Sequence, residues 1–277
     1  MNKVLPRLLV FFIGLPLVVT IICFNQFHHI LMHFCVFAVS LLAASELYHL
    51  LFQKFSMQFR PLVIISAVLP VFVAAFCAIF ELNPAIVDFT FIASLFLCMA
   101  HEVLASKTFE NSVSHLLSSV FIIFYSGYLP SFISRMTLHN HSREHIALFV
   151  LMVCMCDSIA WLFGNLFGKN NKGFIKASPN KSIAGFLGGI LGTLCTGFAA
   201  YKLFPEVFSI SLVKMLLWAF FISIFSIIGD LVESVLKRSV EIKDSGSIVP
   251  GRGGILDSID SIFFVAPIYY FGINFFF

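Results

Sequence analysis

The chain has 277 residues, of which 60% are hydrophobic and 11% charged, and its mean hydropathy is +1.00. Soluble domains hold roughly 45–50% apolar and about 25% charged residues, so a water-soluble fold could not hide this much apolar surface and lipid must be the solvent for much of it. The formal charge of +3 is too small to argue for nucleic acid as a partner.

Apolar stretches long enough to cross roughly 30 Å of hydrocarbon recur along the chain. In order they predict about nine helices, over 5–25, 30–52, 61–81, 84–106, 112–134, 145–167, 183–204, 212–234 and 256–277. The fold class is therefore all-α, a polytopic integral membrane protein. Lys3 and Arg7 precede the first span as they would in a secretory signal, but the run reaches Phe24 and no small-x-small cleavage site follows, so a retained helix is expected. The seven cysteines fall mostly inside apolar runs, without C-x-x-C pairs, and read as small hydrophobes.

Loop charges set the orientation. With the N-terminus in the cytoplasm, the inner segments hold Lys3, Arg7, Lys54, Arg60, Lys107, Lys169, Lys172, Lys176, Lys181, Lys237, Arg238, Lys243 and Arg252. The outer ones hold Arg135, Arg143, Lys202 and Lys214, so thirteen of the 17 cationic residues lie inside. That asymmetry is the one the positive-inside rule demands. Residues 1–143 read as an N-terminal transmembrane region of Phe, Leu and Val without a motif. Residues 144–277 read as the catalytic transmembrane region, because they carry two glycine- and charge-rich inner loops at 168–182 and 237–254.

The densest polar stretch runs from Gly229 to Ser261. Asp230, Ser234 and Lys237 are spaced i, i+4 and i+7, which places them on one helix face. Asp257 and Asp260 are three apart and share a face too. A carboxylate costs about 2.5–3.5 kcal/mol at mid-bilayer, and converging carboxylates repel one another; a divalent cation removes both penalties. Hard oxygen ligands suit Mg²⁺ shared with a substrate phosphate. Gly251, Gly253 and Gly254 let backbone N–H groups approach an anion, with Arg252 among them and Lys237, Arg238 and Lys243 nearby. A second cluster comprises Asp157, Gly164 and Gly168, then Ser178, Pro179, Lys181 and Ser182, with Gly185, Gly188 and Gly189 opening the next helix. Lys181 and that helix N-terminus could hold another phosphate, while the glycines could equally serve close helix packing.

Ser234, Lys237-Arg238, Lys243-Asp244, Pro250, Gly253-Gly254, Asp257 and Asp260, in this spacing, resemble the signature of the phosphatidate cytidylyltransferases (CDP-diacylglycerol synthases). Asp157 with Ala160 and Gly164, and Ser178-Pro179 with Lys181-Ser182 and Gly185, resemble that family's earlier segment. The resemblance covers roughly residues 150–277. Two positions depart from it: Arg252 stands where the family usually has His, and Ser258 where it usually has Arg. Arg252 is expected to supply part of the positive charge lost at Ser258, and it cannot exchange a proton at neutral pH.

The resemblance implies transfer of the cytidylyl group of CTP to phosphatidate in the bilayer, giving CDP-diacylglycerol and pyrophosphate at the cytoplasmic face of a bacterial-type inner membrane. It implies Mg²⁺ on Asp230, Asp257 and Asp260, and it admits a second metal ion and a homodimer. Lys181, Lys237, Arg238, Lys243 and Arg252 would contact phosphates, Ser234 would be a polar contact, and Asp157, Ser178, Ser182, Gly251, Gly253 and Gly254 would line the substrate site. A CTP-dependent polyprenol kinase, or a synthase for another phosphorylated lipid, would use similar groups. A secondary transporter would instead need polar residues at mid-membrane and internal repeats. The histidines His139, His141 and His145 fall on the outer side and stay unassigned. The intramembrane pairs Glu46–His49 and His101–Glu102 fit either a paired structural role or contact with a lipid headgroup.

Overall fold

The computed structural model describes residues 14, 16–249, 251 and 253–276. Residues 16–23 are helical; the rest of the predicted 5–25 span, apart from this piece and its flanks, lies outside the described residues. The following helices are α1 (Gln26–Phe52), α2 (Arg60–Ile79), α3 (Ala85–Ala105) and α4 (Ser112–Ile122). A π-helical turn (Ile123–Tyr128) joins α4 to α5 (Leu129–Met136), and then come α6 (Ser142–Phe167), α7 (Ile183–Leu203), α8 (Leu212–Ser239) and α9 (Leu256–Phe276). Taking α4, the π turn and α5 as one span, 8 helices among the described residues are long and apolar enough to cross a bilayer. The protein is polytopic and all-α, with each described span close to its predicted range.

Two boundaries differ for physical reasons. α1 opens with Phe27, His28 and His29 in left-handed geometry, so the regular right-handed helix starts at residue 30, where the apolar period starts. α8 runs past the predicted 234 to Ser239, since Glu233 and Lys237 pair one turn apart and Lys237 and Arg238 sit at the negative end of the helix dipole.

The described residues group into two compact units. The first holds those up to His139 together with Val240–Ile259. Its centre is α2, which packs against α1, α3, the π turn and α5. Val63, Ala67, Val71, Ala74 and Ala78 form the buried stripe, at helical spacing and small enough to admit close neighbours. On the opposite face Ile65, Phe72 and Phe76 are exposed, as lipid-facing side chains must be.

Glu102, in this unit, is buried at 4% exposure and accepts from Gln58 Nε2 (2.9 Å), Ser106 Oγ (2.8 Å) and Ser112 Oγ (2.7 Å). His115 Nδ1 stands 3.0 Å from the same carboxylate. Glu102 thereby ties the end of α3 to the start of α4.

The second unit holds Asn140–Ser239 and the residues from Asp260 onward. α6 and α7 form its most extensive contact, and α8 packs on both. The approach of α6 and α7 depends on glycine. A Cβ on Gly188 would lie 2.6 Å from Phe163 Cβ and 2.9 Å from the Ile159 carbonyl oxygen, and one on Gly192 would lie 2.8 Å from the Met155 carbonyl oxygen. The glycines opening α7 therefore serve helix packing. Gly188→Ala is expected to push the two helices apart and destabilise the protein by about 1–3 kcal/mol. Thermal unfolding in detergent would read this as a lowered midpoint; an unchanged midpoint would mean the pair relaxes without cost.

Candidate active site

In the second unit a pocket of about 290 Å³ opens among α6, the 168–182 loop, the start of α7 and α8. Its polar lining is Asp157 and Asn165 from α6, Lys172, Asn180 and Lys181 from the loop, Ser182, and Asp230 from α8. Trp161 and Phe186 supply aromatic surface.

The loop is held in place locally. Lys172 and Ser182 form an antiparallel bridge, the Ile183 N–H donates to the Asn171 carbonyl (3.1 Å), and the Ser182 hydroxyl caps α7 by accepting from the Gly185 N–H at 3.0 Å. The Arg238 Nε donates to the Ala177 carbonyl at 3.3 Å, tying the end of α8 to the same loop. Together these contacts fix Lys181 so that its ammonium pairs with the Asp230 carboxylate.

Asp260, on α9, is 7% exposed and accepts from the Ser261 N–H at 2.7 Å. It lies in the electrostatic field of Asp230 and Asp157, with Lys181 acting in the opposite sense. Three carboxylates and one ammonium thus act on one another within one unit. Charges so placed near hydrocarbon repel unless a cation joins them. The hard oxygen donors fit Mg²⁺. Among the described residues no three His, Cys, Asp or Glu side chains gather closely enough to enclose an ion by themselves.

Not every expected residue faces the pocket. Ser178 takes part in the backbone turn, its carbonyl accepting from the Lys181 N–H at 3.1 Å, and does not line the cavity. The Ser182 hydroxyl is used as the helix cap. Lys237 pairs with the buried Glu233 one turn back, and Arg238 reaches the loop rather than the cavity. Ser234, one turn beyond Asp230 on α8, is half-buried. Asn165, Lys172, Asn180 and Glu233 were not singled out in the sequence. Lys172 and Asn180 sit in the glycine-rich loop that drew attention to Lys181, so their signal was there.

The signature glycines lie in the first unit, where Lys243 is exposed and Arg252 is outside the described residues. Val249 and Gly253 pair through two backbone hydrogen bonds (2.8 and 3.1 Å). Gly251 and Gly253 take φ of +78° and +111°, the region that favours glycine. Asp257 Oδ2 accepts from the N–H groups of Ser245 and Gly254, both at 2.8 Å, and lies 3.0 Å from the Ser245 hydroxyl. Of the glycine amides expected to cradle a phosphate, that of Gly254 is thus bonded to one of the chain's own carboxylates and that of Gly253 to the Val249 carbonyl. The two units meet in sequence within α9, between Ile259 and Asp260, so Asp257 belongs to the loop's unit and Asp260 to the pocket's.

The chain is similar in sequence to proteins named phosphatidate cytidylyltransferase. The proteins of Bacillus subtilis and Staphylococcus saprophyticus are 36% and 37% identical over 180 residues, and that of Staphylococcus haemolyticus is 35% identical over 178. Each alignment covers 64% of this chain and 65% of the relative, slightly under two thirds of its length. A model of the cytidylyltransferase family matches residues 5–276, nearly the whole sequence. With that match over nearly its whole length, this chain belongs to the cytidylyltransferase family.

Proposed function

We propose that this membrane protein transfers the cytidylyl group of CTP to phosphatidate, forming CDP-diacylglycerol and releasing pyrophosphate. The observation that carries the reading is the pocket holding the Lys181–Asp230 pair, with Asp157 in its wall and Asp260 in the same field. Family membership and the names of the relatives supply the substrates.

An oxygen of the phosphatidate phosphate attacks the α-phosphorus of CTP. The bond from that phosphorus to the α,β-bridging oxygen breaks, and its electron pair leaves with pyrophosphate. The second pKa of a phosphate monoester is about 6, so the nucleophile is already largely ionised at neutral pH and needs no dedicated general base. The obstacle is the meeting of two polyanions, which fixed cations resolve. Lys181 is the proposed phosphate contact in the pocket, with Lys237, Arg238, Lys243 and Arg252 as further cations. Ser234, Ser178 and Ser182 supply polar support and Gly251, Gly253 and Gly254 the loop. Asp230, Asp257 and Asp260 are the proposed Mg²⁺ ligands; the bound ion would neutralise phosphate charge. The catalytic region is proposed to be 144–277.

Nine spans with a cytoplasmic N-terminus would put the 168–182 and 237–254 segments at the inner surface. There CTP is soluble and a lipid can enter sideways without its acyl chains leaving hydrocarbon. The charge asymmetry of the loops supports this orientation.

Purified protein given Mg²⁺, phosphatidate and CTP labelled at either the α- or the γ-phosphate tests the proposal. The α-label is expected in a CDP-lipid. Lipid carrying only the γ-label would replace the synthase with a kinase, and solute movement without a covalent product would replace it with a transporter.

A further inference from the structure

Glu46 lies on α1, far in sequence from every residue of the signature, and is 8% exposed. Its Oε1 accepts from the Ile255 N–H and its Oε2 from the Leu256 N–H, each at 2.9 Å. The Ser245 hydroxyl stands 3.1 Å from Glu46 Oε2 and 3.0 Å from Asp257 Oδ2, so its one proton serves either carboxylate. Ile255 and Leu256 are where α9 begins, and their N–H groups are among those no residue within the helix can satisfy. A carboxylate there also meets the positive end of the helix dipole.

The loop is shaped to admit this side chain. A Cβ on Gly254 would lie 2.4 Å from Glu46 Oε2, and one on Gly246 would lie 2.7 Å from Glu46 Oε1. Here glycine is needed because a carboxylate from another helix occupies the space a side chain would fill.

We propose that Glu46 is a positioning residue for the reaction. Its two carboxylate oxygens lock the start of α9 and the 245–254 backbone in one register, and thereby fix the aim of Asp257. The inference rests on the reading that the signature segment serves cytidylyl transfer. Glu46 touches no substrate in this role. A packing role would need only its shape, whereas the clamp needs two acceptor oxygens. Glutamine keeps the shape but turns an NH₂ group toward an N–H donor, which separates the two.

The test uses full-length Glu46→Gln, Glu46→Ala and Gly254→Ala in detergent micelles, read by amide hydrogen exchange of peptides covering 245–257 and by CDP-lipid formation. In wild type the Ile255 and Leu256 amides are expected to be protected. Glu46→Gln is expected to speed their exchange at least tenfold and lower kcat about tenfold, with the KM for CTP within twofold. Glu46→Ala should do more of both, and Gly254→Ala should mimic it. Glu46→Gln with wild-type exchange and wild-type kcat would overturn the proposal. So would faster exchange with turnover unchanged. If wild type forms no CDP-lipid while the exchange result holds, the functional reading fails and the clamp stands. Monodisperse elution of Glu46→Gln keeps the comparison valid should the alanine variant not fold.

Discussion

Alanine at Asp260 is expected to abolish CDP-lipid formation, a loss of at least about a hundredfold, while expression and membrane insertion stay at wild-type levels. Asp260 is buried and feels two other carboxylates, Asp230 and Asp157, against one ammonium, Lys181. Removing a charge from such a group relieves repulsion, so the midpoint of thermal unfolding should hold or rise while turnover disappears. Opposite movement of stability and activity is the mark of a residue kept for function. Asparagine, which keeps an acceptor for the Ser261 N–H at 2.7 Å, should be equally inactive. Retained activity in either variant would take Asp260 out of the site. Lost activity with a sharply lowered midpoint in both would recast it as a structural residue.

Lys181→Met should lower kcat/KM for CTP by about ten- to a hundredfold, the range expected when one charge-assisted hydrogen bond to a phosphate is lost. The magnesium dependence gives a second, signed readout. Lys181 is the cation paired with Asp230, and with it gone the carboxylates are less neutralised. They should then attract Mg²⁺ more strongly, so half-saturation falls although turnover is poorer. A variant needing more Mg²⁺ would show that Lys181 assists metal binding rather than competing with it, and an unchanged kcat/KM would remove Lys181 from the phosphate site. Lys181→Arg is not expected to rescue fully, because a planar fork does not present its donors as a compact ammonium does.

The spans were legible because each is a local property. An apolar run long enough to cross hydrocarbon needs no partner to be recognised, and α2 through α9 fall within a few residues of their predicted ranges. Asp157, Lys181 and Asp230 were legible one by one, in two separate clusters, for a related reason: charged residues beside membrane spans are rare and costly enough to stand out singly. What the sequence did not contain was their pairing. Lys181 and Asp230 are 49 residues apart, and nothing in either neighbourhood names the other. The signature glycines were legible as a loop needing close backbone approach, but a phosphate was the expected visitor. The structure seats Asp257, from the helix that follows, and Glu46, from a helix 199 residues before Ser245.

By itself, then, the sequence determined the solvent, the number of described crossings to within one, the chemical types available for a metal and phosphate site, and through its motifs the family. Only the tertiary structure decided which carboxylate meets the lysine, which ones hold the loop, and that the Ser182 hydroxyl is spent on capping a helix. The reason is one of range. Transfer free energies and helical periods act over a few residues, whereas a hydrogen bond between α1 and the start of α9 exists only once the chain has folded back on itself.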